Sequence, residues 1–251
     1  MVDSLGYRMK FGVVAPSTNT SVEPEYAIMQ PPGITNHFCR IAIPDTEVTD
    51  DESFVVMLNN IRDATMDAID VMKSCDPGYI IMGMSAETFW DGAERADDLH
   101  KSVVERAGRG VAMGSHACDA AFKAYSEEKP IKKIAILTPY MPIGDRNVVK
   151  YFKDVGYEVT DVIGLKSPSP MRIAHESPQV LREAIIKLAK SKPDAIVQTG
   201  TNLACVAVAA EAERWLDIPV IAINAATYWY ALRNNGFQDK VQGCGRLLED
   251  W

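Results

Sequence analysis

The sequence predicts an α/β protein of two pseudo-symmetric lobes, each a parallel sheet flanked by helices, with the active site between the lobes. Three observations carry this reading. Short apolar runs alternate with helical stretches along the chain, the pattern of parallel sheets covered on both faces. The order strand, helix, repeated four times, occurs once up to about residue 128 and once after it. Two of the apolar runs, Tyr79–Met82 and Ala195–Val197, end in similar turns, Gly83-Met84-Ser85 and Gly200-Thr201-Asn202.

In the first half, Lys10–Pro16 reads as a strand and Ser17-Thr-Asn-Thr20 as a polar loop. Val22–Met29 follows as a helix, since Pro24 is tolerated in a first turn. His37–Ile43 is the second strand, closed by Pro44. Asp50-Asp-Glu-Ser53 supplies an N-cap and acidic first-turn residues for a helix over Phe54–Ser74. Its apolar stripe is Met57, Leu58, Ile61, Ala64, Ala68, Val71 and Met72, at helical spacing. Tyr79–Met82 is a buried strand bounded by turn residues. A helix over Ala93–Arg106, a strand at Val111–Met113 and a helix over Asp119–Glu127 complete this half.

The second half repeats the order. Strands are expected at Lys133–Pro139, Glu158–Ile163, Ala195–Val197 and Pro219–Ile223. Helices are expected at Asp145–Val155, Pro178–Ser191, Cys205–Leu216 and Ala226–Asn234, with Ser167-Pro-Ser-Pro170 as a loop. Pro16 matches Pro139, Ser85 matches Thr201 and Ser115 matches Asn224. The expected division is an N-terminal lobe over residues 1–128 and a C-terminal lobe over 129–225, with segment 226–251 packing back on the first.

The 251 residues are enough for one large or two small domains. Net charge is −8, so the chain is not built to hold nucleic acid or an anionic membrane surface. No apolar run approaches the ~20 residues of a membrane span, and the first residues lack the apolar core of a signal peptide. A cytoplasmic protein is expected. The cysteines Cys39, Cys75, Cys118, Cys205 and Cys244 are odd in number and widely spaced. They form neither a disulfide framework nor a C-x-x-C metal motif. His37 and Cys39 have no further ligand at metal spacing. Gly108-Arg-Gly-Val-Ala-Met-Gly114 joins a helix to a strand, the wrong order for a dinucleotide fingerprint.

Ligands in parallel α/β folds sit beyond the C-terminal ends of the strands. Here those ends carry Ser17 and Asn19, Met84 and Ser85, Ser115, Tyr140, Gly200 with Thr201 and Asn202, and Asn224. These groups are uncharged, and their hydroxyls, amides and N–H donors suit a carboxylate or an oxyanion. The plain reading of any one such loop is turn and cap chemistry. The same character at matched positions argues for a site. Phe89, Trp90, Tyr228 and Trp229 follow these loops and would accommodate a substituent, or else belong to the core.

Val13-Val-Ala-Pro-Ser-Thr-Asn-Thr-Ser-Val-Glu23, Leu137-Thr-Pro-Tyr-Met141 and Gly243-Cys-Gly-Arg-Leu-Leu248 resemble the aspartate/glutamate racemase superfamily. The branch is that of maleate cis-trans isomerase and arylmalonate decarboxylase, and the resemblance runs from about Lys10 to Asp250. It implies two pseudo-symmetric lobes, a small carboxylate substrate, no metal or organic cofactor, and a homodimer or higher homo-oligomer. By this resemblance Asn19 and Tyr140 bind substrate, and Ser169 falls where the isomerases use another polar ligand. Ser85 aligns with the first family cysteine and Gly200 with the second, so both thiols are replaced. A hydroxyl has a far higher pKa than a thiol, so two-thiol racemisation is disfavoured.

The expected function is a cofactor-independent enzyme working through an enolate or oxyanion intermediate, decarboxylase-like or maleate-isomerase-like. Ser85, Tyr140 and Thr201 would be catalytic. Ser17, Asn19, Met84, Ser85, Tyr140, Ser169, Gly200, Thr201 and Asn202 would contact substrate. Tyr140 is the first choice of proton donor, because a phenol titrates nearest a useful range. Two alternatives stand beside this reading. One is a hydrolase using Ser85, Thr201 or a water held by Glu23 or Glu87. The other is a carboxylate-binding protein without turnover.

Overall fold

The architecture is a pair of parallel sheets with the same strand order. It comes from a computed structural model that describes residues 3–251. Among these residues the first sheet contains β1 (Met9–Pro16), β2 (Ile34–Ile41), β3 (Tyr79–Met82) and β4 (Val111–Ala112). The second contains β5 (Lys133–Thr138), β6 (Glu158–Gly164), β7 (Ala195–Gln198) and β8 (Val220–Ala222). The orders are β2-β1-β3-β4 and β6-β5-β7-β8, with every pairing parallel. In each sheet the second strand is added on one side of the first and the third on the other, and this switch in strand order opens a crevice at their C-terminal ends. The central strands β3 and β7 are buried at every residue. Such strands read as continuous apolar runs, whereas the edge strands β2 and β6 are mostly half-buried.

Eight longer helices cover the sheets: α1 (Val22–Met29), α2 (Asp51–Met72), α3 (Ala93–Ala107), α4 (Gly114–Tyr125), α5 (Pro142–Asp154), α6 (Pro178–Ala189), α7 (Val206–Leu216) and α8 (Ile223–Asn234). The short α9 (Arg246–Asp250) lies beyond the last helix expected from sequence. α8 packs on α1, α4 and the ends of β3 and β4, all in the first half. It is buried on almost every side, from Ile223 to Trp229 and again at Ala231 and Leu232. No helix among the described residues is long and apolar enough to cross a membrane.

α2 starts where its cap chemistry dictates. The Asp50 carboxylate accepts from the Ser53 N–H at 2.8 Å, and the Ser53 hydroxyl accepts from the Asp50 N–H at 3.1 Å. This reciprocal pair satisfies two donors that the first turn leaves free. The buried stripe is Phe54, Met57, Leu58, Ile61, Thr65, Ala68, Ile69 and Met72. Val71, expected in that stripe, is exposed, because the buried face follows Ala68, Ile69 and Met72.

Other boundaries differ from the sequence reading. β2 begins at Ile34, since Gly33 at φ 80° turns the chain straight into register with Met9. α4 begins at Gly114, so Ser115 and His116 lie in its first turn rather than on a loop. α8 likewise begins before Asn224. Cys205 is the residue before α7 rather than its first residue. The paired positions survive these shifts. Ser85 and Thr201 each lie three residues beyond their strand, and Ser115 and Asn224 are each the second residue of a helix.

Candidate active site

At the C-terminal ends of the sheets lies a cavity of about 50 Å³ whose wall draws on both halves. A single water needs roughly 10–15 Å³ of such space, so a molecule of a few heavy atoms fits. Of the residues expected to contact substrate, Asn19, Met84, Ser85, Tyr140, Gly200, Thr201 and Asn202 all line it. Ser17 and Ser169 do not. The Ser17 side chain is turned onto the Ile43 main chain, accepting from its N–H and donating to its carbonyl at 3.1 Å. The Ser169 hydroxyl donates to Asp45 at 3.3 Å. Ser115 and Asn224 also stand outside the lining.

Asn19 is oriented by the helix that follows it. Its Oδ1 accepts from the N–H groups of Ser21 and Val22, both at 3.0 Å, at the start of α1. That capping role fixes the amide, so Nδ2 is the end presented to the cavity, where it donates to Thr201 Oγ1 at 3.2 Å. Arg40 donates to the Asn19 carbonyl at 2.7 Å and also pairs with Glu23. Glu23 is therefore committed to a half-exposed surface pair and takes no part in the cavity wall.

Ser85 and Tyr140 meet across the halves, Oγ to Oη at 2.6 Å. Ser85 Oγ also accepts the Thr201 N–H at 3.0 Å. Burial pushes the Tyr140 phenol well above its ordinary range. The shift runs away from the useful range that favoured Tyr140 as proton donor and keeps the phenol neutral. Its ring is held edge-on by Phe54 at 5.5 Å. The Thr201 hydroxyl is engaged as well, donating to the Gly83 carbonyl at 3.1 Å while it accepts from Asn19. Asn202 bridges three segments. Its Oδ1 accepts from the Thr20 N–H at 2.9 Å, and its Nδ2 donates to the Pro170 carbonyl at 2.8 Å.

Gly200 adopts φ 132°, and a Cβ there would stand 2.5 Å from the Pro139 ring. Glycine is required by both backbone and space. No cysteine is among the lining residues. Cys205 is fully buried, and burial raises its thiol above the usual range.

One carboxylate does line the cavity. Glu87 sits in the short 3-10 turn Ala86–Phe89 directly after Ser85, and its side chain is only 5% exposed. Arg62 of α2 places Nε at 2.7 Å from both carboxylate oxygens. Burial raises the Glu87 pKa, and Arg62 offsets part of the rise. The sequence placed Glu87 near the site but carried no signal for its direction. Met57 and Ile61 of α2 form an apolar wall, and nothing in their helical spacing separates them from core residues. Pocket and core are both open readings for the four aromatic residues after these loops, and none of the four lines the cavity. Phe89 packs on Tyr151 and Phe152, Trp90 on Phe54, and Tyr228 on Tyr26 and Phe11. Trp229 is turned to the C-terminus, donating to the Trp251 carbonyl at 3.1 Å.

Among the described residues there is no group of three or more His, Cys, Asp or Glu placed to hold a metal ion. What the cavity offers is a set of neutral donors and one buried carboxylate.

A family model described as arylmalonate decarboxylase matches residues 11–248. The maleate isomerase of Alcaligenes faecalis is 24% identical over 250 residues, spanning 95% of this chain and 96% of that protein. The maleate isomerase of Geobacillus stearothermophilus is 30% identical over 118 residues, 47% of each chain. Among solved structures, Nocardia farcinica maleate cis-trans isomerase with a covalently bound succinylcysteine intermediate superposes with a TM-score of 0.81 at 21% identity, covering 97% of this chain and 99% of that one.

Proposed function

Since the chain belongs to the arylmalonate decarboxylase family and is an enzyme of the isomerase or lyase kind, we propose that it decarboxylates a small malonate-type dicarboxylate through an enolate intermediate. The observation that carries this reading is the convergence of neutral donors on one cavity with no thiol in its wall. Loss of carbon dioxide leaves an electron pair that spreads onto the remaining carboxylate. Preorganised donors in a dry site stabilise such charge far better than water does. In this reading Ser85, Tyr140 and the Thr201 N–H hold the developing oxyanion. Asn19 Nδ2 and Asn202 fix the substrate, and Gly200 and Met84 shape the floor. The apolar side made by Met57 and Ile61 faces the departing carboxylate, where poor solvation favours conversion to neutral carbon dioxide.

The Nocardia isomerase is described with a succinyl group on a cysteine. The cavity here holds no cysteine side chain, and Gly200 has no room for one. A thiol-adduct isomerisation therefore lacks its nucleophile, which supports decarboxylation first. Hydrolysis through Ser85 lacks a base: its hydroxyl partners are the Tyr140 phenol and an N–H, whereas an activated serine needs an adjacent acceptor.

The test is proton NMR in deuterated buffer with methylmalonate, phenylmalonate and maleate as probes. The expected result is loss of one carboxylate from a malonate, with deuterium on the adjacent carbon. Ser85→Ala or Tyr140→Phe should each lower kcat by roughly 10²–10³-fold, the cost of losing one oxyanion donor. Conversion of maleate to fumarate with malonates untouched would sink the proposal.

A further inference from the structure

We propose that Glu87 is the catalytic proton donor of this site, delivering its carboxylic proton to the enolate carbon. This rests on the enolate reading above. Protonation at carbon needs an acid in the cavity wall, and the thiols that could supply one are absent from it. Glu87 is the sole carboxylate among the lining residues, on the same short turn as Ser85.

Its surroundings fit an acid that cycles. On the far side of Glu87 a second cavity of about 200 Å³ opens, bounded by Arg62, Met84, Arg95 and Ser102 as well as Glu87 itself. Glu87 and Met84 thus stand in the wall between the two spaces. One space holds the reacting carbon, and the other gives the carboxylate a way to regain its proton. The charged groups around it come from three elements: Arg62 on α2, Arg95 on α3, and Asp91 in the turn between. Arg62 is itself held, its Nη1 donating to Asn59 at 3.1 Å and its guanidinium lying 5.3 Å from the Trp90 ring centre. Burial raises the Glu87 carboxyl against the pull of Arg62 and Arg95, and Arg62, already on both oxygens, is placed to hold the carboxylate that remains once the proton has been passed on.

The steps balance. The bond to the departing carboxylate breaks, carbon dioxide leaves, and its electron pair forms the enolate on the retained carboxylate. The enolate carbon takes the proton of Glu87, the O–H pair stays on Glu87 as carboxylate, and a solvent proton restores the acid.

The experiment compares wild type, Glu87→Gln and Glu87→Asp on methylmalonate and phenylmalonate, reading carbon dioxide release, deuterium incorporation and the pH dependence of kcat. Binding of the unreactive phenylacetate, read by thermal shift, serves as the control for a folded pocket. Glu87→Gln should keep phenylacetate binding but lose roughly 10²–10⁴-fold in kcat, the usual worth of a positioned acid. It should also lose the alkaline limb of the pH profile, while Glu87→Asp keeps that limb at a reduced rate. Undiminished turnover by Glu87→Gln with the same pH profile would overturn the proposal and leave the enolate reading standing. A wild-type protein inert towards both malonates would overturn both together.

Discussion

Gly200 shows how closely the site depends on single positions. Its backbone lies in the left-handed region, at φ 132°, and Pro139 occupies the space where a side chain would begin. Gly200→Ala is expected to cost about 1–3 kcal/mol, through backbone strain and overpacking together. A lowered urea midpoint at unchanged slope would register it. Placing a thiol at this position therefore requires Pro139 to move first. The sequence pointed to Gly200, Asn19, Ser85, Tyr140 and Thr201 because strand ends and turn chemistry are local signals. It could not separate Asn19 from Ser17, two residues apart on the same polar loop. That difference is set by the chain just beyond β2, where the Ile43 main chain takes the Ser17 hydroxyl. The direction of Glu87 was similarly out of reach, because it depends on Arg62, one helix away.

At the scale of elements, α1, α7 and α8 meet at one carboxylate. Glu25 of α1 accepts from the Val206 N–H at 2.9 Å and from Asn224 Nδ2 at 2.6 Å. Asn224 Nδ2 also donates to the Thr201 carbonyl at 2.8 Å, linking this junction to the cavity loop. Burial raises the Glu25 carboxyl from 4.5 to about 7. A carboxyl that holds its proton more tightly when folded favours the folded state at low pH, and that contribution is lost as pH rises. The window runs from about 4.5 to about 7, with a change on the order of 2–3 kcal/mol. Denaturant titrations at several pH values should show stability falling across this window, and Glu25→Gln should flatten the slope. Elements with strong local signals were legible in the sequence: α2 has its cap and stripe, β3 is an unbroken apolar run, and β7 is one up to Val197. The start of α4 was not. Gly114 reads as a turn residue, yet it begins a helix, and the lack of a side chain there serves close packing, since a Cβ would lie 2.5 Å from Ile223 of α8. A glycine chosen for helix contact looks the same as one chosen for a turn.

At the scale of the molecule, the two halves are joined through the candidate site itself. Asn19 to Thr201, Ser85 to Tyr140, Thr201 to Ser85, Ser21 to Asn202 and Thr20 to Asn202 all cross from one half to the other. Asn202→Ala removes the acceptor of Thr20 and the donor to Pro170. It is expected to cost about 1–3 kcal/mol, the range for leaving buried groups unpaired. Faster amide exchange at Thr20, measured alongside the denaturation midpoint, would show the junction loosening. The same arrangement gives the cavity a latch made of its own donors. On the proposed function, a carboxylate would enter by exchanging partners with that latch, oxygen for oxygen. A molecule of similar shape but without acceptor oxygens leaves the opened donors with nothing to hold. On that proposal admission is decided by the guest's chemistry before its size, and the guest would take over as the crosspiece between the two halves.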